Sequence, residues 1–280
     1  MTEHIDEKPG EAAKPCCLTV AGSDSGGNAG VQADLRAFHA YGLHGCTVFA
    51  ALTAQNPFAV SAIHPVPPDF VAAQLDAVLG VYDIAAAKTG MLADPASIEV
   101  VADRLSRHPE MAKVVDPVMV ATSGARLVAD SAVQAIVGRL VPLATVVTPN
   151  LPEAEALCGA EPGAAARAGD AAHAAELAKR IHGMFGCAVL VKGGHGAGET
   201  AVDVLFDGRE CREFSLPWVA APVSTHGTGC TMAAALAAEL ALGRSLPEAV
   251  DGAKRHVRSA IERSYIVGRG CGVLGFAAFD

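Results

Sequence analysis

The segment Ser224-Thr225-His226-Gly227-Thr228-Gly229-Cys230-Thr231 sets two glycines directly before a long Ala/Leu-rich run. The free backbone N–H groups in the first turn of such a helix, with the positive end of its dipole, form an anion site. That site would stabilise charge on a transferred phosphoryl group. Cys230 falls in the same turn, where the helix field lowers a thiol pKa toward reactive values. A free cysteine is as often a small buried hydrophobe, and position alone leaves both readings open. A second loop, Gly22-Ser23-Asp24-Ser25-Gly26-Gly27-Asn28-Ala29-Gly30, carries four glycines in nine residues. It lets the backbone approach a ligand, or it is simply a tight strand-to-helix turn. It matches neither G-x-G-x-x-G nor a Walker A loop, so both common nucleotide motifs fail here.

Three further strand ends carry polar groups. Asn150 and Glu153 put an amide and a carboxylate on one helical turn, suited to orienting Mg²⁺ waters beside phosphates. The same spacing also describes a capping box with Pro152 in its first turn, and the spacing alone favours that reading. Asp116, followed by Pro117, ends a strand and can coordinate a metal or cap a loop. Lys192, before Gly193-Gly194-His195, can hold a phosphate as a point charge or stand solvated at the surface. His195 and His226 lack a third ligand at suitable spacing, so a zinc site is not expected.

These loops need a scaffold that brings strand ends together, and the chain has the pattern of one. Short apolar runs alternate with helical periodicity: strand 17–21, helix 31–41, strand 46–50, helix 69–78 with Asp69 as N-cap, strand 84–87 and helix 96–107. Strand 113–115, helix 131–140, strand 145–147, helix 171–184 and strand 188–191 follow. Such alternation predicts βαβ crossovers, hence an α/β fold with a mainly parallel central sheet covered by helices on both faces. Runs 201–206 and 213–216 around Asp207-Gly208 predict a small antiparallel hairpin, and helices 228–241 and 247–263 finish the fold. The expectation is one domain over 16–280 behind a polar tail, 1–15. Residues 159–169 are linker-like but too short to separate domains.

Composition narrows the function. With Lys+Arg 21 against Asp+Glu 30 the net charge is −9, which disfavours nucleic acid or an anionic membrane as partner. Mean hydropathy is +0.33, yet no apolar run approaches the roughly 18 to 20 residues needed to span a bilayer. The N-terminus lacks the character of a signal peptide, and eight scattered cysteines without C-x-x-C fit a reducing, cytoplasmic setting.

Seven motifs in order resemble the bacterial hydroxymethylpyrimidine/phosphomethylpyrimidine kinases, the thiamine-pathway branch of the ribokinase-like superfamily. They are AGSDSGGNAGVQADL (21–35), ALTAQN (51–56), KTGML (88–92), DPVM (116–119), TPNLPEAEAL (148–157), KGGH (192–195) and THGTGCT (225–231). The resemblance implies a ribokinase-like fold, ATP as co-substrate, Mg²⁺, and two successive phosphorylations of 4-amino-5-hydroxymethyl-2-methylpyrimidine. By motif position it implies that Asp34 and Gln55 hydrogen-bond the pyrimidine, Gly22 packs against it and Met91 covers the ring. Asn150, Glu153, Lys192, Thr225 and Thr228 would serve the ATP phosphates, and Asp116 and Glu153 would lie near the metal. Cys230 would take the proton of the attacking hydroxyl, with Gly227, Thr228 and Gly229 as the anion hole. A homodimer is expected on the same ground; a fused second enzyme, which sometimes occurs in the family, is not expected here. Asn28 and Ser224 depart from the family pattern, which more often has a small residue and Asn there. The alternatives are a pyridoxal kinase and a non-catalytic pyrimidine-binding protein, the latter disfavoured by the joint presence of Cys230, Lys192 and Glu153.

Overall fold

The computed structural model describes residues 14–119, 129–159, 171–193 and 199–276. Most of the predicted tail, the linker-like run from 160 on, and Gly194 and His195 lie outside the described residues.

The chain runs β1 (Cys16–Gly22), α1 (Gly30–Ala40), β2 (His44–Asn56), β3 (Ala59–Pro65), α2 (Pro68–Leu79), β4 (Ile84–Thr89), α3 (Pro95–Ser106) and β5 (Ala112–Val115). It continues with α4 (Asp130–Ala135), β6 (Val146–Val147), α5 (Leu151–Leu157), α6 (Ala171–Phe185), β7 (Ala188–Val191), β8 (Thr200–Phe206) and β9 (Cys211–Pro217). Helices α7 (Thr228–Ala241) and α8 (Leu246–Glu262) precede a short hairpin, β10 (Tyr265–Val267) and β11 (Cys271–Val273).

Nine strands form one sheet in the order β3-β2-β1-β4-β5-β6-β7-β8-β9. The six strands from β2 to β7 pair in parallel, and β3, β8 and β9 extend the two edges antiparallel. The central strands read as near-continuous apolar runs, as strands covered on both faces must; β1 is buried from Cys17 to Gly22. One apolar cluster packs α2, α3, α5 and α6 on one face of the sheet, and a second packs α1, α7 and α8 on the other. Helix α7 can lie close to the strands because Ala233, Ala234, Ala235, Ala237 and Ala238 are all buried and small.

The strand order reverses between β1 and β4, the point at which an open α/β sheet leaves a crevice beyond the carboxyl ends of its strands. Two backbone bonds close that junction: Gly22 N–H donates to Met91 O at 3.1 Å, and Gly90 N–H donates to Val20 O at 3.0 Å.

The predicted hairpin is present as β8–β9, but it continues the main sheet as its edge. Asp69 is not the N-cap of α2; Pro67 holds that position and Asp69 lies in the first turn. The predicted helix 131–140 ends as α at Ala135 and continues as a π-turn over Ile136–Leu140. Strand β2 runs past Ala50 to Asn56, where its outer half pairs with β3.

Candidate active site

The loop after β1 is organised by Asp24. Its carboxylate accepts from Gly26 N (2.8 Å), Asn28 N and Ala29 N (both 2.9 Å), which folds the glycine-rich segment around one buried side chain. Burial would raise the Asp24 pKa, but His226 and these N–H donors hold it below the usual carboxylate range. Gly30 has φ +56°, and a Cβ there would lie 2.4 Å from Gly22 O, so only glycine fits. Asn28, the departure from the family pattern, contributes its backbone N–H to this turn.

The same loop reaches two neighbours. Ser25 Oγ donates to Gln55 O at 2.7 Å and accepts from Gln55 N at 2.8 Å, fastening the loop to the outer half of β2. On the other side stands the loop before α7. Gly227 caps that helix with φ +88°, and a Cβ on it would fall 1.9 Å from Asn28 O. Its neighbour His226 places Nε2 3.8 Å from Asp24 Oδ2, close enough to pair with the carboxylate electrostatically but too far for a hydrogen bond, and this buried nitrogen has no hydrogen-bond partner among the described residues.

The first turn of α7 contains Thr228, Gly229 and Cys230. Thr228 Oγ1 donates to Thr225 O at 3.0 Å, turning the loop into the helix without a side-chain cap at Gly227. Lys192 stands beside this turn, its Nζ 3.6 Å from where a Gly229 Cβ would sit. That ammonium donates to Asp116 Oδ1 at 2.8 Å, and Thr148 Oγ1 donates to the same oxygen at 3.1 Å. Burial disfavours the Lys192 charge, but Asp116 and Glu153 more than offset it, and its pKa is raised.

Asn150 and Glu153 form the capping box: Glu153 N–H donates to Asn150 Oδ1 at 2.9 Å and Asn150 N–H to Glu153 Oε2 at 2.8 Å. The local reading of that spacing is therefore realised. It does not exhaust Glu153, whose buried carboxyl is pushed up to about 7, first by burial and then by Asp116, with Lys192 acting against the shift. Two buried carboxylates beside one ammonium leave negative charge to neutralise, and this donor set fits a hard divalent cation. Among the described residues no cluster of three or more His, Cys, Asp or Glu side chains makes a metal cage.

On the substrate side, Gly22 packs against Met91, with a Gly22 Cβ position 3.1 Å from Met91 Sδ. The Gln55 side chain is half-buried, its Oε1 3.3 Å from Thr53 Oγ1. Asp34 is placed differently from the expectation of a residue that meets the ring. It is fully buried, accepts from Lys88 Nζ at 2.8 and 2.9 Å and from Thr19 Oγ1 at 2.6 Å, and presents no carboxylate surface. Its partner Lys88 is equally buried, and Asp34, Cys230 and Asp116 keep it protonated against the cost of burial. The Lys88 charge is a neighbour of Cys230, whose sulfur receives the Gly30 backbone N–H. Sequence position predicts a lowered Cys230 pKa. The net direction is upward, because burial outweighs the pull of Lys88 and Asp34 and Asp116 add to it.

The structure thus gathers Gly22, Gln55, Met91, Asp116, Asn150, Glu153, Lys192, Thr225, Gly227, Thr228, Gly229 and Cys230 at the carboxyl edge of the sheet, with Asp34 beneath. Asp24 and Lys88 escape sequence reading. Asp24 is visible only as one more residue of a turn, and the pairing of Lys88 with Asp34 joins positions 54 apart.

Residues 24–275 match the family described as phosphomethylpyrimidine kinase. A hydroxymethylpyrimidine/phosphomethylpyrimidine kinase from Rhizobium meliloti is 48% identical over 247 residues, covering 87% of this chain and 89% of that protein. A thiamine biosynthesis bifunctional protein from Geobacter sulfurreducens is 48% identical over 255 residues, covering 91% of this chain and 51% of that protein. This chain therefore spans about half the length of that bifunctional relative. Among solved structures, an ADP complex of Bacillus subtilis pyridoxal kinase superposes with a TM-score of 0.84 at 34% identity, covering 95% of this chain and 98% of that one.

Proposed function

Because this chain belongs to the phosphomethylpyrimidine kinase family, we propose that it transfers the γ-phosphoryl group of ATP to 4-amino-5-hydroxymethyl-2-methylpyrimidine, and then to the resulting monophosphate, in the making of thiamine diphosphate. The observation that carries this reading is the meeting of Lys192, the N–H-rich first turn of α7 and Cys230 at one sheet edge, with Gly229 lying against the Lys192 ammonium. A protein that only binds a pyrimidine has no use for that apparatus.

In the proposed reaction Gly22, Gln55 and Met91 hold the ring, and the hydroxymethyl oxygen points toward the first turn of α7. Cys230 accepts the hydroxyl proton as that oxygen attacks phosphorus and the bond to ADP breaks. It does so as the thiolate, which burial makes the minor form at rest and which the Lys88 ammonium and the Gly30 backbone N–H favour. The backbone N–H groups of Gly227, Thr228 and Gly229 and the ammonium of Lys192 stabilise charge on the phosphoryl oxygens, which is most of the work in such transfers. Asp116 and Glu153 would hold Mg²⁺, which when bound neutralises phosphate charge; Asn150 fixes the helix start that carries Glu153. Asp34 acts from below the pocket floor, as the partner of Lys88. We further propose that the chain works in the cytoplasm as a homodimer. No helix among the described residues is long and apolar enough to cross a membrane.

The test is ADP release with hydroxymethylpyrimidine and with pyridoxal in parallel, the products weighed by mass spectrometry. A pyrimidine diphosphate product is the expected outcome. Strong preference for pyridoxal, the activity named for the B. subtilis relative, would overturn the substrate while leaving the phosphate machinery in place. Binding without turnover of either would overturn the reaction itself.

A further inference from the structure

Lys192 owes its place to a part of the fold remote from the reacting atoms. Strand β7 pairs with β8 through Val189↔Phe206, Leu190↔Leu205 and Val191↔Val204, and there the ladder stops. On the same register Gly193 would face Val202, and it presses so close that a Cβ would lie 1.8 Å from Val202 O. With the ladder ended, the Gly193 N–H needs another acceptor, since an unpaired buried donor is costly. Asp203 supplies it: Oδ1 accepts from Gly193 N at 2.9 Å, in place of a strand carbonyl. The other oxygen, Oδ2, accepts from Lys254 Nζ of α8 at 2.8 Å. Both side chains of this pair are nearly buried, 7% and 10% exposed. On the opposite side Lys192 N–H donates to Pro149 O at 2.8 Å. Lys192 is therefore clamped through its own backbone and that of the next residue, and its ammonium is aimed at Asp116 and the first turn of α7.

We infer that Asp203 and Lys254 are positioning residues for the nucleotide phosphates, acting through Gly193 to set the place of Lys192. A buried ion pair is weak support for stability, since apolar residues of similar volume often serve as well. Here one carboxylate must both receive a backbone N–H and be neutralised, and the two demands together account for a charged pair at this spot. The inference rests on the phosphate role proposed for Lys192, so ATP affinity and pyrimidine turnover are measured separately. An enzyme that binds ATP but leaves the pyrimidine untouched would defeat the substrate reading and leave this inference testable.

The experiment is a double-mutant cycle on ATP affinity, by titration calorimetry without pyrimidine. Lys192→Ala and Asp203→Ala are each expected to weaken ATP binding by about tenfold or more, as loss of an outer support for a binding group does. The double variant is expected to bind within about twofold of Lys192→Ala alone, because Asp203 acts only through Lys192. Paired Asp203→Asn with Lys254→Gln, which keeps an acceptor for Gly193 and a neutral hydrogen bond between the two amides, restores affinity. If Asp203→Ala does not fold, Asp203→Leu with Lys254→Met replaces the pair by apolar volume while still removing the acceptor, and takes its place in the cycle. Penalties that multiply in the double variant, or wild-type affinity in Asp203→Ala or its apolar substitute, would overturn the inference.

Discussion

Cys230 illustrates how a residue's task depends on opposed influences. Burial drives its thiol pKa up, the ammonium of Lys88 draws it down, and the balance leaves a protonated sulfur at neutral pH. Cys230→Ala is expected to retain pyrimidine affinity within about threefold in calorimetry and to lose about 10²-fold or more in ADP release. Undiminished turnover would remove it from the reaction. Glu153 offers a second residue-scale prediction, because its folded pKa of about 7 lies above its ordinary 4.5. A group raised in this way binds more protons folded than unfolded. Its stabilising contribution is complete below about 4.5 and is lost as pH rises through about 7. Urea titrations without Mg²⁺ should show stability falling across that window, by up to about 1.4 kcal/mol per pH unit from this group. Glu153→Gln, which can still cap Asn150, should flatten the profile; an unchanged slope would contradict the assignment. Neither effect is legible from a linear chain. The motifs mark Cys230 and Glu153 as candidates, whereas the charges around them arrive from strands and loops distant in sequence.

Among elements, the loops at the carboxyl edge are the sharpest constraint. Gly227 combines φ +88° with a Cβ position 1.9 Å from Asn28 O, so Gly227→Ala must both strain the backbone and separate two loops. A loss of about 2 kcal/mol or more is expected, with a larger proportional loss of kcat than of thermal stability because the anion hole deforms; a variant with wild-type kcat would show that the loop contact is dispensable. Most elements could be read from periodicity, since the central strands are largely apolar and α1, α3 and α6 carry a clear buried face. The misses share a physical origin. Strand β3 is largely exposed and reads Ala-Val-Ser-Ala-Ile-His-Pro, so no burial pattern marks it. Strand β10 is exposed throughout and only three residues long. Asp69 has the chemistry of a cap, but Pro67 and Pro68 set the helix start before it. Asp203 looks like an interruption of an apolar strand until Gly193 and Lys254 are placed against it.

For the whole molecule, a central sheet with two separate apolar clusters makes stability and catalysis partly independent. Phe38 is fully buried in the α1/α7/α8 cluster. Phe38→Ala is expected to cost about 3 to 5 kcal/mol in urea unfolding while leaving KM for both substrates within about twofold at a temperature where the variant remains folded; a selective rise in one KM would mean that this core positions the site after all. The parallel sheet and its helical layers were legible as a class from alternation alone, and the reversal of strand order between β1 and β4 was not, because strand order is decided by contacts no local pattern records. That reversal sets the two glycine loops side by side, with Asn28 O against Gly227. A surface shared so closely makes occupancy of one loop a condition felt by the other. By thermodynamic reciprocity, whatever factor bound pyrimidine adds to ATP affinity, bound ATP must return to the pyrimidine.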